Sequence, residues 1–233
     1  MNSDTATKMR HYSITRGFAG AWISLGLCLL WTDAGVAADV NEVVAGLQKR
    51  YASAITLSAQ FEQTYRGPGI VQVESGTLWM KKPGLMRWEY RVPETKLFIS
   101  NGRDSYLYTP AERQVMVQSF GASERLSMPL EFLLGEGNIA KSFTASWEVE
   151  SSPKLDGTYL LRLVPRVEEQ GYAYLDLEVG QKDYDLRRMV IRETSGNTSE
   201  FLLSNVMLNP KVDSKQFEFT IPNGVEVIRR DEN

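Results

Sequence analysis

Gly76-Thr77-Leu78-Trp79-Met80-Lys81-Lys82-Pro83-Gly84-Leu85-Met86-Arg87-Trp88-Glu89-Tyr90 decides the fold of this chain. After the Pro83-Gly84 turn the residues alternate. Met86, Trp88 and Tyr90 fall on one side, Arg87 and Glu89 on the other, the period-two signature of a strand with one face buried. Before the turn the run from about Val71 to Lys81 reads as a second strand, but its inward face is ambiguous. Leu78 and Met80 share parity with Gln72 and Glu74, while Trp79 shares it with Val73; Leu78 and Met80 are taken as the inward pair. Two strands joined by a tight turn make an antiparallel hairpin.

The pattern extends in both directions. Upstream, Leu57, Ala59, Phe61 and Tyr65 alternate with polar residues until Gly67-Pro68-Gly69 breaks the run. Before it, Asp39 or Asn41 can cap a short helix whose apolar stripe is Val43, Val44, Leu47 and Tyr51. Downstream, Leu97 to Ser100 and Ser105 to Tyr108 flank Asn101-Gly102, a hairpin signal because both residues accept positive φ. Gln114 to Gln118 continues the meander. Ser123 to Leu134 is different: proline in the first turn and glycine just past the end frame a short, very apolar helix. Asn138 can cap a further turn holding Ile139, Ala140 and Phe143. Strands resume near Trp147–Val149, Tyr159–Val164, Tyr172–Val179, Leu186–Glu193 and Ser199–Leu208. The reading is a mainly β domain of about eleven antiparallel strands. The pattern suggests one curved antiparallel sheet, a half-open barrel with helices covering its concave side and the apolar helix placed as a lid.

The N-terminus carries an export signal. Lys8, Arg10 and Arg16 precede an apolar run from Phe18 to Trp31, and Ala34-Gly35-Val36-Ala37-Ala38 supplies a small-residue cleavage site. The run is shorter than the ~20 residues a spanning helix needs. Residues 1–38 are therefore expected to be a signal peptide and residues 39–233 a single mature domain. Leu25-Gly26-Leu27-Cys28 approaches a lipoprotein-processing box, but Leu27 stands where a small residue belongs. Cleavage after Ala37 or Ala38 removes both Cys28 and His11, the only cysteine and the only histidine. Disulfides, Cys–His and Ser–His–Asp catalysis, and His- or Cys-based zinc sites are then excluded. Neither a cofactor nor a metal is expected, and the chain does not read as an enzyme. The mature net charge is about −4, which argues against nucleic acid, whose phosphates must be neutralised by Lys and Arg.

The quoted stretch resembles the signature of the outer-membrane lipoprotein carrier (LolA) family. Further pieces agree in order: Phe61-Glu62-Gln63 upstream, then Pro93, Ser100-Asn101-Gly102 with Leu107-Tyr108, Gln114-Val115, and Phe217-x-Phe219-x-x-Pro222-x-Gly224-Val225. The resemblance covers essentially all of the mature chain. It implies an unclosed β-barrel capped by helices, acting as a monomer in the periplasm. It also implies triacylated lipoproteins as cargo, an inner-membrane ABC-type release complex, and an outer-membrane acceptor lipoprotein. On this chain it places the acyl-chain cavity at Leu78, Met80, Met86, Trp88 and Tyr90 and the lid at Leu130, Phe132 and Leu133. Lys82 stands where the best-studied branch has arginine, at a lid-locking or partner-contact position. A lysine offers a point charge instead of a planar fork of donors. A periplasmic carrier of free lipid or glycolipid on the same fold is the alternative.

Other signals are weaker. Gly135-x-Gly137-x-x-Ala140 matches a dinucleotide fingerprint but lacks the strand and long helix that motif needs. Asp176 and Glu178 share a strand face and resemble paired catalytic carboxylates, though a solvated face is the expectation. Lys81 is expected to be solvated.

Overall fold

The computed structural model describes residues 38–119, 137–167 and 171–230. The expected signal peptide lies outside these residues except for Ala38. So does the apolar segment with Leu130, Phe132 and Leu133.

Among the described residues twelve strands form one sheet: β1 Thr56–Gly67, β2 Ile70–Lys81, β3 Leu85–Val92, β4 Lys96–Asn101, β5 Asp104–Thr109, β6 Gln114–Ser119, β7 Phe143–Trp147, β8 Thr158–Pro165, β9 Tyr172–Gly180, β10 Leu186–Glu193, β11 Thr198–Leu208 and β12 Glu226–Arg230. Their order is β12-β6-β5-β4-β3-β2-β1-β11-β10-β9-β8-β7, so β12 and β7 are the two edges and the sheet is unclosed. Every neighbouring pair is antiparallel except β12 with β6, which is parallel. That strand is a correction to the all-antiparallel reading. Its connection from β11 is long, so the short-loop argument for antiparallel pairing does not apply to it. A second correction concerns Trp147–Val149: β7 begins at Phe143 and ends at Trp147, because Phe143 pairs with Pro165 on β8 directly after the preceding helical turn.

The two faces of the sheet have different chemistry. The inner face carries the main core, to which β1 gives Leu57, Ala59 and Phe61, and β9 gives Leu175, Leu177 and Val179. Two helices cover part of this face. Helix α1, Val40–Ala52, starts because the Asp39 carboxylate accepts from the Asn41 amide, leaving the stripe Val43, Val44, Leu47 and Tyr51 to be buried. Tyr51 is fully buried, and its hydroxyl accepts from the Leu186 amide at 3.0 Å. Burial pushes the Tyr51 phenol pKa up, so the group stays neutral. Gly46 lets the Tyr184 ring lie against α1, since a Cβ there would sit 2.5 Å from ring atoms. Helix α2, Ile139–Ser142, is capped by Asn138, whose side chain accepts from the Lys141 amide. Gln48 of α1 accepts from the Ile139 amide at 2.9 Å and ties the helices together. Four residues and an antiparallel strand to follow leave no dinucleotide site at Gly137.

The outer face is held in two ways. Over β3 to β5 the C-terminal segment forms a strap. Phe217 in a 3₁₀ turn, Ser214–Phe217, is buried, and Phe219 packs on Tyr106 and Tyr108 at 5.4 and 5.7 Å. Arg87 donates to the Gln216 carbonyl at 2.9 Å, and the Lys81 ammonium, expected in solvent, donates to Ser214 at 2.6 Å. Over β8 to β11 the outer face is an ionic network. Arg162 makes a bidentate pair with Asp176 at 2.8 and 2.9 Å and reaches Glu148 at 2.6 Å. Arg188 bridges Glu178 and Glu200, and Glu178 is fully buried, accepting also from the Lys154 and Leu155 amides. Asp176 and Glu178 are therefore not a solvated face. Each is neutralised by an arginine on a neighbouring strand, which consumes the lone pairs that acid–base chemistry requires.

Candidate functional site: the inner face of β1 to β4

The hairpin of β2 and β3 puts Leu78 opposite Trp88 and Met80 opposite Met86, while β1 sets Leu57 opposite Met80 and Ala59 opposite Leu78. All five residues expected to meet acyl chains thus fall on one face. Leu78 and Met80 are fully buried, Met86 and Trp88 nearly so, and Tyr90 is half-buried at its margin. The parity conflict in β2 resolves as a gradient along a single face: Met80 and Leu78 lie at the apolar end, then Gly76, then Glu74 and Gln72.

Gly76 is the hinge of that gradient. It lies at a register shift between Ser75 and Gly76, where a Cβ would stand 1.8 Å from the Glu89 carbonyl oxygen. Its cross-strand neighbours are Phe61 and Tyr90, whose rings meet edge to face over it at 5.0 Å. Large rings closing over a glycine recover contact area that the missing side chain would lose. Trp88 extends the cluster, 4.9 Å from Phe61 and 5.9 Å from Phe201, both edge to face.

Two polar features sit in this surface. The indole Nε1 of Trp88 is buried and has no hydrogen-bond partner among the described residues. A donor left so costs about 1–3 kcal/mol. Beyond Gly76, Glu74 is buried and paired with Lys96 of β4, with Gln72 donating to the same carboxylate at 2.8 Å. The Lys96 ammonium lies 4.8 Å from the centre of the Tyr90 ring, a cation–π contact, and the Tyr90 hydroxyl donates to Gln63 at 3.3 Å. Burial, and then the Glu74 charge, push the Tyr90 phenol pKa up. Sequence reading missed Phe201 and the Glu74–Lys96 pair. The signal for Glu74 was present in its shared parity with Leu78.

Lys82 stands at the other end of the hairpin. Its ammonium donates to the Ala52 carbonyl at 2.8 Å and its amide to the Ile55 carbonyl at 2.9 Å, so it caps the C-terminus of α1. The lid residues it is expected to meet lie outside the described residues. An open groove of about 530 Å³ occurs on the outer face, lined by Gln60, Glu62, Ser75, Thr77 and Arg91 among others. Phe61, Gly76, Val92 and Leu202 also line it, so its walls are mixed in polarity. Among the described residues no helix is long and apolar enough to cross a membrane, and no group of three or more His, Cys, Asp or Glu is placed to hold a metal.

An unclosed sheet whose inner face gathers aliphatic and aromatic side chains beneath a short N-terminal helix defines the class of half-barrel proteins with an apolar interior. The comparison with known proteins makes this specific. The family described as "Outer membrane lipoprotein carrier protein LolA" matches residues 52–220, and the chain belongs to it. An outer-membrane lipoprotein carrier protein of Bordetella avium is 31% identical over 228 residues, covering 95% of this chain and all of that one. One from Pseudomonas paraeruginosa is 31% identical over 196 residues, covering 82% of this chain and 90% of its own. An uncharacterized conserved protein from Thermus thermophilus shares the fold with a TM-score of 0.51 at 13% identity, over 82% of this chain and 98% of that one. Together the relatives support a lipoprotein-carrier role.

Proposed function

We propose that this protein is exported by cleavage of residues 1–38. In the periplasm it acts as a monomeric chaperone that covers the acyl chains of triacylated lipoproteins. It receives them from an ABC-type complex at the inner membrane and hands them to an acceptor lipoprotein at the outer membrane. The observation that carries this reading is the unbroken apolar strip of Leu78, Met80, Met86 and Trp88 on the inner face of an unclosed sheet. Each methylene moved from membrane to water costs about 0.8 kcal/mol, so three acyl chains hold a lipoprotein on its first membrane. Transfer needs a surface that replaces the bilayer around the chains without holding them as firmly. Leu130, Phe132 and Leu133 form the lid over this surface. Lys82, at the α1 end of the hairpin, is the residue through which lid or partner position is sensed.

A release assay tests the reading. Mature protein is added to spheroplasts making a triacylated lipoprotein, and the supernatant is analysed for a soluble one-to-one complex. Cargo should appear with wild type and be lost with Trp88→Glu or Leu130→Glu. If no lipoprotein is released while extracts of the purified protein contain bound free lipid or glycolipid, the cargo is that lipid. If neither occurs, the carrier reading is wrong.

A further inference from the structure

The Trp88 indole N–H is a feature of the inner face that an acyl chain alone does not explain, and the inward Glu74–Lys96 pair is another. A hydrocarbon surface has no use for a buried donor, and apolar side chains would line it without the cost of an unmatched N–H. Its neighbours Phe61 and Phe201, each in a T-shaped contact with it, bring no oxygen or nitrogen acceptor, and the indole Nε1 has no hydrogen-bond partner among the described residues. Moving along the sheet, Tyr90 is the next inward residue of β3, about 7 Å away at the strand rise of 3.3 Å per residue. Glu74 is four residues along β2 from Leu78, the cross-strand partner of Trp88, or about 13 Å away. There Lys96, Gln72 and Gln63 join it in a charged and amide-bearing cluster. In the opposite direction, Met80 and Met86 belong to the same apolar core as Val43, Val44, Leu47 and Tyr51 of α1.

We infer that the site reads the polar linkage of its cargo as well as its chains. The Trp88 N–H donates to an ester carbonyl of the diacylglyceryl group. The acylated cysteine and the start of the polypeptide lie over Tyr90, Glu74 and Lys96, and the acyl chains run toward Met80, Met86 and α1. This order matches the chemistry of an acylated cysteine, in which hydrocarbon, ester carbonyls, glyceryl thioether and peptide follow one another over a comparable length. It also assigns a purpose to the inward charge pair. Glu74 and Lys96 satisfy each other when no cargo is present, and each can turn to a peptide N–H or C=O without leaving an unpaired charge in the core. The inference rests on the carrier reading and adds a direction and a selectivity to it.

The test compares two synthetic peptides that differ only in linkage. One carries S-(2,3-diacyloxypropyl)cysteine and the other its dialkyl ether analogue, which has no carbonyl. Binding to the mature protein is measured by displacement of a fluorescent fatty acid. Wild type should bind the ester about tenfold more tightly than the ether, the value of one hydrogen bond to a buried donor. Trp88→Phe should lose that preference while still binding the ether, which also shows that the variant folds. A photoreactive residue placed directly after the cysteine should label the β2 segment around Glu74 or the β4 segment around Lys96. Equal binding of ester and ether by wild type, or a preference that survives Trp88→Phe, overturns the assignment of Trp88. Labelling of α1 overturns the direction. Failure of wild type to bind either peptide is a separate result, because it removes the carrier reading itself.

Discussion

Replacing Gly76 by alanine is the sharpest probe of how the inner face is built. The backbone there has no positive φ, so alanine is conformationally acceptable and any cost is steric. The added Cβ would lie 1.8 Å from the Glu89 carbonyl oxygen, 2.8 Å from its carbon and 3.0 Å from the Tyr90 Cα. Ordinary contact begins near 3.4 Å, so β2 and β3 must part by about 1.5 Å at this point. Strands lie about 4.8 Å apart, and such an opening takes the adjoining ladder hydrogen bonds beyond bonding distance. It also lifts Tyr90 from Phe61. Overpacking of this kind costs about 1–3 kcal/mol and each lost hydrogen bond about 1 kcal/mol, so a total of roughly 2–4 kcal/mol is expected. Urea unfolding of the mature protein, followed by tryptophan fluorescence, gives the number. Gly69→Ala serves as the contrasting change. Gly69 has φ +71 with nothing near its Cβ direction, so only left-handed strain of roughly 1–2 kcal/mol should appear. Gly76→Ala within about 0.5 kcal/mol of wild type would refute the packing argument, since that is the range of an indifferent surface change.

Arg188→Met leaves the fully buried Glu178 without its counter-charge and should destabilise by about 3–5 kcal/mol, toward the lower end because two amides still donate to Glu178; the same urea experiment reads it. Burial pushes the Glu200 pKa up, but the hydrogen bonds and charges of Arg188 and Lys154 outweigh it and hold the group below its ordinary value of 4.5. Its stabilisation is therefore present above the unfolded-state pKa and lost as pH falls through the folded one, so the difference between wild type and Glu200→Gln, measured by thermal melts from pH 7 to 3, should shrink below about pH 4.5. Lys82→Met removes a cation from the C-terminus of α1 and should lower stability by only about 0.3–1 kcal/mol, with Lys82→Arg recovering it in the same melts. If Lys82 also sets the lid, Lys82→Met changes the release of cargo in the transfer assay by more than this loss accounts for.

Much of this fold was legible because period-two alternation and turn chemistry survive without a partner sequence. The stripe of α1, the inward residues of β1 and the α2 cap at Asn138 are all where local chemistry puts them. The Asn101-Gly102 hairpin also formed, but for a partly different reason. Only Gly102 takes positive φ, and Asn101 instead accepts from the amides of Arg103 and Asp104. What failed to show in the sequence was non-local. The parallel β12 and the strap that Phe217 and Phe219 lay across the outer face depend on segments far apart in the chain, and the pairing of Asp176 with Arg162 and Glu178 with Arg188 depends on the register between consecutive strands. A charged residue in an alternating strand looks solvated until its cross-strand neighbour is known. Glu74 carries the same lesson, since its shared parity with Leu78 puts it on the inner face, where Lys96 of β4 pairs with it.

The division of labour between the two faces bears on how an unclosed sheet can serve a carrier. A closed barrel fixes its interior by pairing its first and last strands, and here β7 and β12 remain edges. Register must then be set by something other than closure. On β8 to β11 the ionic network clamps neighbouring strands from outside, and on β3 to β5 the C-terminal strap does so through Arg87, Lys81 and the ring stack of Phe219. None of these contacts uses an inner-face side chain. The alignment of the strands is therefore anchored independently of the apolar contacts among Leu78, Met80, Met86 and Trp88, which are non-directional. Directional bonds thus clamp the sheet from outside, whereas the inner face combines the non-directional contacts of Leu78, Met80, Met86 and Trp88 with a separate ion pair between Glu74 and Lys96.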